Sequence, residues 1–195
     1  MRTATAVAVT SATGLAVGVA TSLGQTRLDG AANALVNSVS AWLVAPFCVG
    51  ALMATRRGAA AAGLGVCVLQ VAGYYATAHA RGFANGPLLI AFWTACAVLG
   101  GPLFGAAGRL WRDGDRRARG LGGALLPAVF AAEGLWLYLH TLHDAHRAGL
   151  WLGCAAVSAA ALLRRPAELR WVLPALAGAL AGEIALSGIA ALGVI

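Results

Sequence analysis

The chain has 195 residues, of which 60% are hydrophobic and 11% charged, and its mean hydropathy is +0.78. That balance excludes an ordinary water-soluble domain, in which about a quarter of residues are charged. The net charge of +7 and pI near 10.3 come from arginines placed between apolar runs, so membrane topology explains them better than nucleic-acid binding does.

The first run begins after Arg2, and with small residues around Val19 to Ser22 it has the form of a signal peptide, so cleavage is one reading. Uncleaved, residues 4–24 make a first transmembrane helix, in which Gly14 and Gly18 form a GxxxG that lets a neighbouring helix approach closely. Further runs long enough to cross an apolar core of about 30 Å lie near 34–54, 58–80, 87–108, 120–141 and 171–193, and a shorter, marginal one at 148–163. The expected fold is therefore all-α, a polytopic transmembrane bundle of seven spans, or six if the short run does not cross. Residues 1–195 read as a single domain. Two more GxxxG pairs, Gly101 with Gly105 and Gly178 with Gly182, predict close helix packing rather than a wide pore. Pro46, Pro102, Pro127 and Pro174 fall inside predicted spans, where each removes an amide donor and frees a carbonyl that needs another partner. The cysteines Cys48, Cys67, Cys96 and Cys154 lie in apolar runs without a CxxC, which marks them as packing residues.

Arginine bias sets the orientation. Arg2, Arg56, Arg57, Arg109, Arg112, Arg116, Arg117, Arg119, Arg164, Arg165 and Arg170 fall on one side, and Arg27, Arg81 and Arg147 on the other. The N-terminus is expected inside and, with seven spans, the C-terminus at Ile195 outside, in a multi-pass protein of the cell membrane. The segment RLWRDGDRRAR at 109–119 fits either the insertion rule with attraction to anionic lipid or a site for an anionic substrate or partner.

Glu133, in LLPAVFAAEGLWLYLH, and Glu183, in LAGALAGEIALSG, lie far from the predicted span ends. A charged carboxylate at bilayer depth costs at least about 2.5 kcal/mol, so desolvation favours the neutral acid, which is a proton donor. The competing reading is that each acid hydrogen-bonds a neighbouring helix. Asp29, on the outer connector, is a candidate assistant. Trp42, Tyr74, Tyr75, Trp93, Trp136 and Tyr138 also lie in predicted spans, and their faces suit stabilisation of a cation, although an interfacial belt or core packing needs the same residues. Asn37 and Gln70, the latter four residues before Tyr74, are candidates to orient a polar head or to bridge helices. His140 is placed near the outer mouth of a cavity. With His143, Asp144 and His146 it has ligand-like spacing, but there is no HExxH and no clear fourth partner, so neither a metal nor a cofactor is expected. A strained Ser-His-Asp elbow, a Walker loop and a dinucleotide fingerprint are all missing from the sequence.

The stretches TSLGQTRL at 21–28, NSVSAWLVAPF at 37–47 and GYY at 73–75 resemble a family of small actinobacterial integral membrane proteins. That family includes membrane-bound terpene cyclases of indole sesquiterpenoid pathways, of the drimentine type. The resemblance implies a prenylated small-molecule substrate held within the lipid bilayer. It implies protonation of the terminal alkene, ring closure through carbocations and loss of a proton, without metal or diphosphate departure. A second stretch, VLGGPLFGAAGRLWR at 98–112, resembles a turn of the vitamin-binding subunits of energy-coupling transporters, which implies capture of a small solute without chemistry.

Overall fold

A computed structural model describes residues 3–84 and 86–191. In chain order these form α1 (Thr3–Gly24), α2 (Gly30–Val36), α3 (Val39–Leu52), α4 (Arg56–Ala80), α5 (Pro87–Asp113) and α6 (Arg116–Ala132), then a π-helical segment (Glu133–Thr141), α7 (Ala145–Leu162), a 3-10 turn (Pro166–Trp171) and α8 (Val172–Ala191). There is no strand among the described residues. Arg2 and Ile195, to which the expected inner and outer termini refer, lie outside them.

By length and composition, five stretches can cross a membrane: Thr3–Gly24, Arg56–Ala80, Pro87–Asp113, Arg116–Thr141 and Pro166–Ile189. The second predicted span is not continuous: α2 and α3 meet at a bend of 53°, and together they make a sixth candidate. The break is local chemistry, because Asn37 closes α2 and the Ser38 hydroxyl then accepts the Ala41 N–H to start α3. Thr55, Asp115 and Asp144 cap α4, α6 and α7 in the same way. α7, the predicted short crossing, is an 18-residue helix that does not join the apolar candidates, and its first turn holds His146 and Arg147.

The fold divides into two compact units whose boundary falls inside α5, between Arg109 and Leu110. In the first, α1 runs along α4, and the predicted GxxxG makes the contact: a Cβ at Gly14 would lie 2.7 Å from the Val66 carbonyl oxygen, and one at Gly18 would collide with that of Gln70. Gly101 and Gly105 of α5 meet the backbone of α4 equally closely. Val49, Met53, Ala59, Ala62 and Val66 fill one part of the core, and Cys67, Val71, Tyr75 and Ala97 another.

In the second unit α6 packs on α7 and α8 through Ala124, Ala128, Leu163 and Ala175. The predicted fifth span is α-helical only to Ala132. It then widens into the π segment, where the Leu142 N–H reaches back five residues to the Leu137 carbonyl at 2.9 Å. Gly134 admits the fully buried Trp151, whose ring lies 4.4 Å from that of Tyr138, and the Trp111 indole N–H donates to the Leu162 carbonyl at 3.0 Å. Two expectations are corrected here. A Cβ at Gly178 or Gly182 would meet nothing within 4 Å, so among the described residues this pair makes no close helix contact. Pro174 sits in the first turn of α8, where its missing N–H has no helical acceptor to lose, so it frees no carbonyl of α8.

Candidate functional site

The first unit holds a half-open cavity of about 240 Å³. Trp42 and Leu43 of α3, Cys67, Val71, Tyr74 and Tyr75 of α4, and Leu89, Trp93, Cys96 and Ala97 of α5 form its walls, and Thr21, Gln25, Asn37 and Ser38 supply polar groups. Five of the residues singled out in the sequence, Asn37, Trp42, Tyr74, Tyr75 and Trp93, therefore line one cavity. The rings are set edge to face: Trp42 and Tyr74 have centroids 6.1 Å apart at 64°, and Tyr74 and Tyr75 4.9 Å apart at 89°. No carboxylate is among the lining residues.

The polar groups form a connected set. The Tyr74 hydroxyl donates to Gln25 Oε1 at 2.6 Å, and Gln25 Nε2 donates to Asn37 Oδ1. Asn37 Nδ2 in turn donates to the Asn33 carbonyl at 2.9 Å, and Asn33 Nδ2 to the Gln25 carbonyl at 2.8 Å. Arg81, at the end of α4, donates to the Ser22 carbonyl and the Thr26 hydroxyl, which ties the ends of α1 and α4 together beside this set. Sequence reasoning missed Gln25 and Thr21 as lining residues. The available signal was that Gln25 follows directly on the first apolar run, inside the quoted TSLGQTRL.

Gln70 is fully buried and does not line the cavity. Pro46, lacking an N–H, leaves the Trp42 carbonyl four residues before it without a helical donor, and Gln70 Nε2 donates to that carbonyl at 3.1 Å. Of the two readings of Gln70, the interhelical bridge is the one its geometry matches. A double-mutant cycle is the check. Gln70→Leu is expected to destabilise the protein by about 1 kcal/mol, and in a Pro46→Ala background, where residue 46 supplies the N–H itself, that loss is expected to vanish. Equal losses in both backgrounds, measured by denaturation in detergent, would show that the carbonyl does not depend on Gln70.

The carboxylic acids belong to the second unit. Glu133 opens the π segment and is 2% exposed, and Glu183 is half-buried on α8. The two are close enough to interact electrostatically, and Tyr138 feels both. One turn beyond Glu183, the Ser187 hydroxyl accepts the Trp136 indole N–H at 3.1 Å, and the indole ring lies against His140, tilted by 34° with centroids 4.6 Å apart. Glu133, Glu183, Trp136, Tyr138 and His140 are thus a second cluster, built where the π turn meets α8.

Asp29 is exposed at the N-cap position of α2, without a side-chain cap bond, and lies outside the cavity lining. Asp144 is committed to α7, where it accepts the Arg147 N–H at 2.9 Å and pairs with the Arg147 guanidinium at 3.4 Å. His143, at a φ of 54°, turns the chain between the π segment and α7. Among the described residues no group of three or more His, Cys, Asp or Glu is placed to hold a metal ion.

A family model described as a family of unknown function, DUF6518, matches residues 1–192, and the chain belongs to that family. No curated protein and no solved structure matches it.

Proposed function

We propose that this member of DUF6518 is a multi-pass protein of the cell membrane that binds an apolar, chain-like small molecule with a polar head in the aromatic cavity of its first unit. The arginine bias supports the N-terminus inside, and α7 serves as a short seventh crossing in thinned lipid. The observation that carries the binding reading is the lining: four aromatic rings, Trp42, Tyr74, Tyr75 and Trp93, in an apolar wall from α3, α4 and α5, beside the Gln25, Asn37 and Tyr74 hydrogen-bonded set. At about 240 Å³ the cavity is below the roughly 300 Å³ from which ligand pockets usually start, so it suits a prenyl chain or one bicyclic ring better than a bulky solute. The test is retention of a farnesylated indole by the detergent-purified full chain, read by native mass spectrometry. One molecule retained per chain supports the reading, and no retention by folded protein removes it.

A second reading, cyclisation of that same class of prenylated indole, is favoured by the pairing of Glu133 with Glu183 beside Trp136 and Tyr138. One acid held neutral delivers its proton to the terminal alkene, the chain closes through cations, and a proton is lost again, so the product has the mass of the substrate. Membranes containing the protein are expected to yield a product of equal mass and shifted retention time. Glu133→Gln or Glu183→Gln is expected to lower that turnover by at least about 100-fold, the lower range for removing a general acid. Full turnover in both variants would sink the acid assignment, and retention without conversion would leave the binding reading alone.

A further inference from the structure

We infer that the second unit carries a recognition site for a phosphate-bearing anion, formed by Arg117 of α6 with Arg170 and Trp171 of the 3-10 turn. These three side chains line an open hollow. The guanidinium carbons of Arg117 and Arg170 each lie 5.4 Å from the centre of the Trp171 ring, so two positive charges share one indole. A cation over an exposed aromatic face gains only modestly, and two like charges brought to the same ring repel each other. An anion placed between them turns that repulsion into two attractions.

The nearby acids do not supply that anion. Glu168 is 2% exposed, and its Oε2 accepts the backbone N–H groups of Arg164 and Arg165 at 2.9 and 3.3 Å. Asp115 spends its carboxylate on the Ala118 N–H at 2.8 Å, capping α6. The indole N–H of Trp171 is buried and has no acceptor, and on the turn of α6 that carries Arg117, Arg119 Nε is buried without one too. Both donors are sealed from solvent, the Trp171 N–H against Gly120 of α6, so the charged groups that face the hollow are the two guanidinium groups. The seat itself is shaped for the ring: a Cβ at Gly120 would lie 2.6 Å from Trp171 Cδ1, so only glycine lets the indole lie against α6.

The two charged side chains that line the hollow are donors. Two planar guanidinium forks match an anion with several oxygens, for which phosphate is the fitting class. The site also stands at the beginnings of two apolar stretches, Arg116–Thr141 and Pro166–Ile189, the depth at which a phospholipid headgroup meets a membrane protein. The same chemistry is available from an anionic lipid headgroup or from dissolved phosphate.

The full chain, purified in non-ionic detergent, is equilibrated with equal amounts of phosphatidylglycerol and phosphatidylcholine and re-isolated, and the retained lipid is counted by mass spectrometry. A parallel arm titrates inorganic phosphate. Phosphatidylglycerol is expected to exceed phosphatidylcholine by about ten-fold, the scale of one or two charge-assisted hydrogen bonds. The Arg117→Gln/Arg170→Gln double variant is expected to abolish that excess, and Trp171→Leu, which removes the ring that gathers both guanidinium groups, to reduce it. Enrichment that inorganic phosphate does not displace assigns the site to lipid, and displacement or direct phosphate binding assigns it to the dissolved anion. Equal retention of the two lipids together with no phosphate binding overturns the proposal, as does an excess that survives in the Arg117→Gln/Arg170→Gln double variant.

Discussion

Gly105→Leu is expected to leave little or no folded protein in detergent extracts. The carbon added at residue 105 would collide with the Ala59 carbonyl oxygen and lie 2.9 Å from Gly63 Cα, both backbone atoms of α4 that cannot rotate away as a side chain would. Overpacking a core ordinarily costs about 1–3 kcal/mol, and a collision with backbone belongs at or above the top of that range. The loss is compounded because Gly50 of α3 also approaches the Gly105 backbone, so α5 would have to withdraw from two helices at once. Those helices carry Trp42, Tyr74 and Tyr75, and the displaced one carries Trp93, so the cavity would be lost with the fold. Gly149→Leu on α7, where an added carbon meets nothing within 4 Å, is the control and is expected to express and melt like the parent. Comparable yields of monodisperse protein on gel filtration for Gly105→Leu and Gly149→Leu would show that the α4 and α5 backbones do not need this approach.

Trp93→Ala is expected to fold and to lose about 30-fold in affinity for a farnesylated indole, the factor that corresponds to about 2 kcal/mol for a buried aromatic anchor. Trp93 is half-buried on the cavity wall, so truncation enlarges an existing space instead of opening a new one in the packed core. Tyr74→Phe separates apolar from polar recognition. It keeps the ring that meets Trp42 and removes the hydroxyl that donates to Gln25 Oε1, so its expected loss is smaller, about five-fold, the worth of one neutral hydrogen bond. If Trp93→Ala binds as tightly as the parent, the aromatic cavity is not where the ligand sits.

Much of the candidate chemistry was legible residue by residue. In a chain with so few charges, Glu133 and Glu183 stand out, and Trp42, Tyr74, Tyr75 and Trp93 stand out as large rings among alanine, glycine, leucine and valine. Grouping was the part that linear order did not carry. Trp42, Tyr74, Tyr75 and Trp93 gather in the first unit, whereas Trp136, Tyr138 and His140 gather with the acids in the second. Gln25 escaped notice because a polar residue just past an apolar run is ordinary, and only its bonds to Tyr74 and Asn37 mark it out.

The sequence by itself determined that this is an all-helical chain of long apolar stretches with arginine-rich connectors, because hydropathy over about 20 residues and the placement of charge are properties of the linear order. It also contained the close crossing at Gly14 and Gly18, since small residues four apart mark the same helix face whatever the partner. Tertiary structure alone decided which GxxxG pairs are used within the described residues, for Gly101 and Gly105 find backbone opposite them while Gly178 and Gly182 find none there. It decided the break between α2 and α3 and the π turn that starts at Glu133, because both trade regular hydrogen bonds for side-chain and interhelical contacts that a single helix does not possess. It decided the hydrogen bond of Gln70 as well: a proline announces a freed carbonyl, but only the packing of α4 against α3 shows which donor reaches it.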